Sequence, residues 1–177
     1  MDIRVSSTGQ TAASFLGNAT PAFGELILAG ATASVFSTGS SAEVFDSAVS
    51  TSGGCVAGAA FGVTQTISTG LLTVVRSGVY EVCLNLADYA TTTGTGTVAF
   101  GVQKNAAAIT GDNVMNLVNT ATTALRMSGQ IKRFLSLVKG DTIRCVVTAA
   151  STVVTVTSGT LYIKQVADSI TDKVVGA

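Results

Sequence analysis

No histidine and no tryptophan occurs in this 177-residue chain, and proline occurs once, at Pro21. Without histidine the chain has no imidazole base to activate a serine or cysteine and no imidazole to ligate a metal. The three cysteines, Cys55, Cys83 and Cys145, stand far apart and show none of the paired spacings of thiolate metal sites. An odd number of cysteines does not make a complete disulfide framework, and the sequence leaves a Cys83–Cys145 bridge open. Charge is also scarce. Charged residues make up 11% of the chain, and ten basic residues balance ten acidic ones, where about 25% is usual. A nucleic-acid partner is therefore not expected, since such binders gain affinity from a basic face. Arg126, Lys132, Arg133 and Lys139 are the only local basic cluster, and strand alternation would divide them between two faces. No apolar run reaches the roughly 18 residues of a membrane helix. The start, Met1-Asp2-Ile3-Arg4-Val5, lacks the apolar stretch of a secretory signal. The expectation is a chain made in the cytoplasm, with neither a membrane nor a nucleic acid as partner.

What is present in quantity is alternation. In Gly78-Val79-Tyr80-Glu81-Val82-Cys83-Leu84-Asn85-Leu86 every second residue from Tyr80 is large and apolar. That period of two reads as a half-buried β-strand. It recurs in Val98, Phe100, Val102 and in Ile143, Cys145, Val147. Further strands are expected at 71–75, 125–138, 152–157 and 160–166, with turns at Arg76-Ser77-Gly78, Ala90 to Gly96, Gly111-Asp112-Asn113, Lys139-Gly140-Asp141 and Ser158-Gly159. No segment carries a helical pattern. The expected fold class is all-β, an antiparallel sandwich. The Gly/Ala run at 53–62 has no Lys-Ser/Thr ending and no helix after it, so it reads as a closely packed loop and not a phosphate cradle.

Residues 1–42 differ in character from the rest of the chain. No charged residue lies between Val5 and Gly24, and large apolar residues are scattered. Too apolar for a solvated tail and too sparse for a core, this stretch is expected to be an extended arm that orders on a partner. Its candidate contact residues are Ile3, Val5, Phe15, Leu16, Phe23, Leu26 and Ile27. The other reading is an extra strand built from Glu25 to Gly30. The expected organisation is thus an arm at 1–42, a sandwich domain at 43–167 and a tail at 168–177.

Candidate chemistry is thin. Asp46 and Glu81 are the carboxylates considered as a pair, and two carboxylates make a glycosidase only at the right separation. Asp112-Asn113 and Asp141 supply oxygen ligands of the kind calcium takes, but do not match the twelve-residue calcium loop. The expected role of these acids is turn capping. No catalytic residue, cofactor or metal is assigned, and an enzyme is not expected.

Three segments together resemble the jelly-roll domain of complement globular heads and tumour necrosis factor-like proteins. Gly78-Val79-Tyr80-Glu81-Val82-Cys83-Leu84 is similar to that family's Gly-any-Tyr strand. Leu137-Val138-Lys139-Gly140-Asp141-Thr142-Ile143 is similar to its Gly-Asp turn, and Ser158-Gly159-Thr160-Leu161-Tyr162-Ile163 to its last strand. Val82 and Leu84 stand where the family has aromatics, and neither a collagen-like repeat nor a secretion signal precedes the domain. The resemblance therefore implies the related modules of bacteriophage particles rather than a secreted cytokine. It implies a homotrimer in which one sheet faces the threefold axis, with Tyr80, Phe134 and Tyr162 as interface candidates, membership of the core being the other reading for each. It further implies a non-enzymatic head-decoration, or cement, protein on the outer surface of the virion, its arm bound to the major capsid protein. The alternative is a receptor- or glycan-binding fibre tip.

Overall fold

The computed structural model describes residues 20–36, 41–46, 55–91, 96–109, 114–119, 126–150 and 153–168. Along the chain run β1 (Phe23–Phe36), β2 (Ser41–Glu43), β3 (Cys55–Phe61), β4 (Val63–Thr66), β5 (Leu71–Val74), β6 (Gly78–Thr91), β7 (Gly96–Lys104), β8 (Ala107–Ala108), β9 (Val114–Asn119), β10 (Arg126–Leu137), β11 (Thr142–Ala150) and β12 (Val154–Asp168). No helix occurs among the described residues. One sheet has the order β10-β6-β12-β1-β3. The other runs β4-β5-β11-β7-β8, with β2 also on β11 and β9 also on β7. All pairings among the described strands are antiparallel. The fold is the expected antiparallel jelly-roll sandwich.

Alternation decides what lies between the sheets. Tyr80, Val82, Leu84 and Leu86 of β6 face inward and are buried, as are Val98, Phe100 and Val102 of β7 and Ile143, Cys145 and Val147 of β11. From β12 come Val154, Val156, Leu161 and Ile163. Tyr89 meets Phe100 edge-on, with ring centroids 5.0 Å apart, a favoured aromatic geometry.

The chain departs from expectation in three places. First, the arm does not extend to residue 42. β1 lies inside the sheet, between β12 and β3. Its Leu26, Leu28 and Phe36 are core residues, so the alternation from Gly24 to Leu28 is that of a strand. Leu26 is therefore no capsid-contact residue, and Phe23 and Ile27 belong to a strand surface rather than to an extended arm. Ile3, Val5, Phe15 and Leu16 lie outside the described residues, as does most of the expected tail. Second, residues 55–61 form strand β3 rather than a loop. Small side chains let it pack closely on β1: a Cβ on Gly58 would come within 2.6 Å of the Glu25 carboxylate. Third, the two strands expected at 152–157 and 160–166 are one strand, β12, with a register shift at Ser158/Gly159. A Cβ on Gly159 would sit 2.8 Å from the Asn85 carbonyl oxygen, so glycine lets the ladder continue through the bulge. All three cysteines are free and buried, so the Cys83–Cys145 bridge that the sequence left open is not formed. Cys83 and Cys145 lie on different sheets.

The turn between β10 and β11 is locked by Asp141, which is 5% exposed. Its carboxylate accepts from the Val138 N–H at 2.8 Å and from the Asn105 amide at 2.7 Å. It also pairs with Lys104 at 2.8 Å. Burial would raise the Asp141 pKa, but Lys104, Asn105 and the Val138 N–H outweigh it and hold the carboxyl below its ordinary value. The group is thus the turn cap it was expected to be. Asp112 and Asn113 lie outside the described residues, and among the described residues no cluster of three or more acidic or cysteine ligands could hold a metal ion.

This architecture makes two outcomes testable. Deleting residues 1–42 removes β1, and burying Leu26, Leu28 and Phe36 contributes about 1.5–3 kcal/mol each. That loss is comparable to the roughly 5–15 kcal/mol that holds a domain together. The truncated chain is expected to show no cooperative thermal transition by circular dichroism; a cooperative melt near that of the full chain would contradict the placement of β1. For Asp141, a lowered folded pKa means that its stabilisation is present above the ordinary carboxyl value of 3.8 and fades as pH falls through the folded value. Asp141→Asn should cost about 1–3 kcal/mol at neutral pH. In urea titrations it should lose less stability than the wild type between neutral pH and strongly acid conditions. An unchanged acid dependence would contradict the assignment.

Candidate functional site: the outward face of the five-stranded sheet

On the five-stranded sheet Val56, Phe61 and Phe134 are large, apolar and substantially exposed. Directly paired residues share a face, so the registers map that surface. Phe134 pairs with Glu81, Glu81 with Lys164, Lys164 with Phe23, and Phe23 with Phe61. The neighbouring row is Lys132, Cys83, Tyr162 and Glu25. Phe134 is 61% exposed and Phe61 42% exposed. Such side chains aligned on one face form an apolar surface of the kind that marks an interaction site.

The middle of the face is a polar lock. The Tyr162 hydroxyl donates to Glu81 Oε1 at 2.7 Å. The ammonium of Lys132 sits 3.0 Å from Glu81 Oε2. The Tyr162 hydrogen bond, then Lys132, holds the Glu81 pKa below its ordinary value. The same bond, reinforced by burial, raises that of the Tyr162 phenol. Proton and charge are thus fixed: the phenol keeps its proton and the carboxylate stays ionised. This is opposite to a general acid–base pair poised near neutrality. Glu81 partners a phenol and an ammonium, not the second carboxylate considered for it. Lys132 also lies 6.0 Å from the Phe134 ring centroid, at the outer limit of a cation–π contact. Cys83 lies buried in the middle of this face, and the Gln130 amide donates to its sulfur at 3.3 Å.

The opposite sheet offers a different surface. There Arg144 donates to Gln103 at 2.9 Å and pairs with Glu43.

The three interface candidates separate. Phe134 and Tyr162 lie on the outward face of the five-stranded sheet. Tyr80 does not. It is 0% exposed, faces the core, and donates its hydroxyl to the Arg76 carbonyl at 2.8 Å. A strand cannot present Tyr80 and its neighbour Glu81 on one side, and Glu81 is outward, so Tyr80 is corrected to a core residue. Glu81, Lys132, Lys164, Phe23 and Phe61 are among the members of the face that sequence reasoning did not assign to it. The signal for Glu81 was available in its position one residue from the apolar series of β6.

On the β1 side of the face a shallow groove of about 270 Å³ is lined by Phe23, Glu25, Ala59, Tyr162 and Lys164, with Gly24 and Ile163 at its base. It falls below the ~300–1,000 Å³ of ordinary small-molecule sites.

No family model and no curated protein matches the chain. Among solved structures, one described as Eiger TNF from S. frugiperda is similar to it, with a TM-score of 0.59 and 16% sequence identity. The match covers 89% of this chain and 99% of that one. At this identity the likeness establishes a tumour necrosis factor-like jelly-roll fold.

Tyr162→Phe tests the lock. Without the phenol's hydrogen bond the Glu81 carboxyl should titrate at a higher pH than in the wild type, read by carbon-13 NMR of that side chain. The shift must be upward, because the lost donor favoured the ionised form. No movement, or a downward one, would contradict the geometry.

Proposed function

We propose that this chain is a non-enzymatic structural protein of a bacteriophage virion, a homotrimeric knob that decorates and stabilises the head. The observation that carries the assembly is the presence of exposed apolar residues, Val56, Phe61 and Phe134, on the outward face of the five-stranded sheet. Tyr162 and Phe134 stand on that face, as the resemblance to trimeric jelly rolls implies. An obligate contact of this kind buries on the order of 2,000 Å² or more in total. Sparse charge supports the same reading, since a weakly charged free monomer is prone to associate.

The head-decoration part draws on the sequence. Residues before β1 include Ile3, Val5, Phe15 and Leu16 within an almost uncharged stretch, and these are the contacts assigned to the major capsid protein. A trimer carries three such segments, and linkage raises the effective concentration of each. Modest single contacts then give lasting attachment.

Adding purified protein to undecorated heads of the source phage tests this reading. Electron cryomicroscopy should show threefold knobs on the outer surface of the head, and a chain lacking residues 1–19 should fail to produce them. Absence of knobs on heads, together with binding to host cells or density at fibre tips, would replace head decoration with receptor binding.

A further inference from the structure

One end of the sandwich gathers features that neither the core nor the outward face uses. The segments at 62, 74–77 and 138–141 are tied together there. The Val75 N–H donates to the Gly62 carbonyl at 3.2 Å, and the Gly140 N–H to the Val74 carbonyl at 2.8 Å. The Lys139 N–H donates to the Ser77 hydroxyl oxygen at 3.1 Å, and Asp141 caps the 138–141 turn from inside. On this braced surface Val138 is 56% exposed and Val75 44% exposed. Arg76 and Lys139 are exposed beside them, and neither makes an ion pair with another described residue. Arg76 instead lies over the Phe61 ring, 5.4 Å from its centroid.

The chain also enters and leaves the domain at this end. β12 finishes with Asp168 opposite Gly78, the residue after Ser77. At the start of the fold Ala22 is held twice by Gln165: its N–H donates to the Gln165 side-chain oxygen at 3.3 Å, and its carbonyl accepts from the Gln165 backbone N–H at 2.7 Å. A Cβ on Gly62 would lie 3.0 Å from the Ala22 Cβ, so Ala22 sits against the residue whose carbonyl Val75 binds. Residues 1–19 therefore start from a fixed root near Val75. We propose that this end of the domain faces the head, and that Val75, Arg76, Val138 and Lys139 dock on the same shell surface as residues 1–19. The proposal rests on the head-decoration reading and adds which end of the knob touches the shell. Reach supports it. Even fully extended, the chain from Ala22 back to Phe15 and Leu16 spans no more than about 25 Å. The far end of the 14-residue β6 lies roughly 40 Å away, so a shell that touched that end would be out of reach of both side chains. The chemistry of the partner follows: an apolar surface to cover the two valines, with acidic groups or carbonyl oxygens to meet the two cations.

Full-length Val75→Asp/Val138→Asp, added to undecorated heads, tests this. Both side chains are exposed, so the double variant should keep the melting curve and the sedimented mass of the wild type. Its affinity for heads should fall about tenfold or more, because two carboxylates then meet apolar groups without partners. Electron cryomicroscopy of heads decorated with the wild type should show the 138–141 turn against the shell and the opposite end, where Arg126 pairs with Ala90, outermost. Unchanged affinity of the folded variant, or the Arg126 end against the shell, would overturn this inference and leave head decoration standing. If the variant does not fold, the orientation of the wild-type knob decides. Heads that take up no wild-type protein would overturn the head-decoration reading itself.

Discussion

The ladder between β6 and β12 is the constraint on which the rest of the molecule depends. It runs from Val154 opposite Thr91 to Asp168 opposite Gly78, the longest described pairing in the fold. Because side chains alternate strictly, this register decides at once that Tyr80, Val82, Leu84, Leu161 and Ile163 enter the core. It places Glu81, Cys83, Tyr162 and Lys164 on the opposite face. A slip of one residue would exchange the two sets. Glycine at 159 lets the ladder pass its bulge, and β1 and β10 then extend the sheet on either side. The core and the candidate interface are two consequences of one pairing.

The fold was legible because its signal is local. Alternation in β6, β7 and β11 needs only neighbouring residues to be read, and Gly-containing turns punctuate it. Where the reading failed, the deciding contact was distant. β1 was read as part of an arm because the strand pattern of Glu25 to Gly30 is short, and its partner β12, which buries Leu26 and Leu28, comes more than a hundred residues later. β3 looked like a loop because Ala and Gly have weak strand preference; it becomes a strand through pairing with β1. The same dependence splits the site. Phe134 was recognisable as an aromatic, but its exposure follows from the register of β10 on β6. Tyr80 was assigned to an interface from its residue type, although its place in the apolar series of β6 already made it core.

The outward face of the five-stranded sheet carries a compact polar cluster. A phenol and an ammonium each lie within hydrogen-bond distance of one carboxylate there. In another setting that trio could move protons. Here the Tyr162 hydrogen bond and Lys132 hold Glu81 ionised, Glu81 and burial keep the Tyr162 phenol protonated, and the nearby groove is open and small. Such an arrangement orients side chains. Held in a defined geometry, the face loses less conformational freedom when it is covered, which is how a preformed surface binds without large individual contacts.

The central claim is that other copies of this chain cover the outward face. Sedimentation equilibrium of the wild type and of Phe134→Asp, compared over a range of micromolar concentrations, tests it most directly. The account predicts three times the chain mass for the wild type. It predicts a folded monomer for the variant, its circular dichroism spectrum unchanged, because Phe134 lies outside the core and a buried unpaired carboxylate cannot be accommodated in a contact. A wild type that sediments as a stable monomer, or a Phe134→Asp trimer as tight as the wild type, would contradict it.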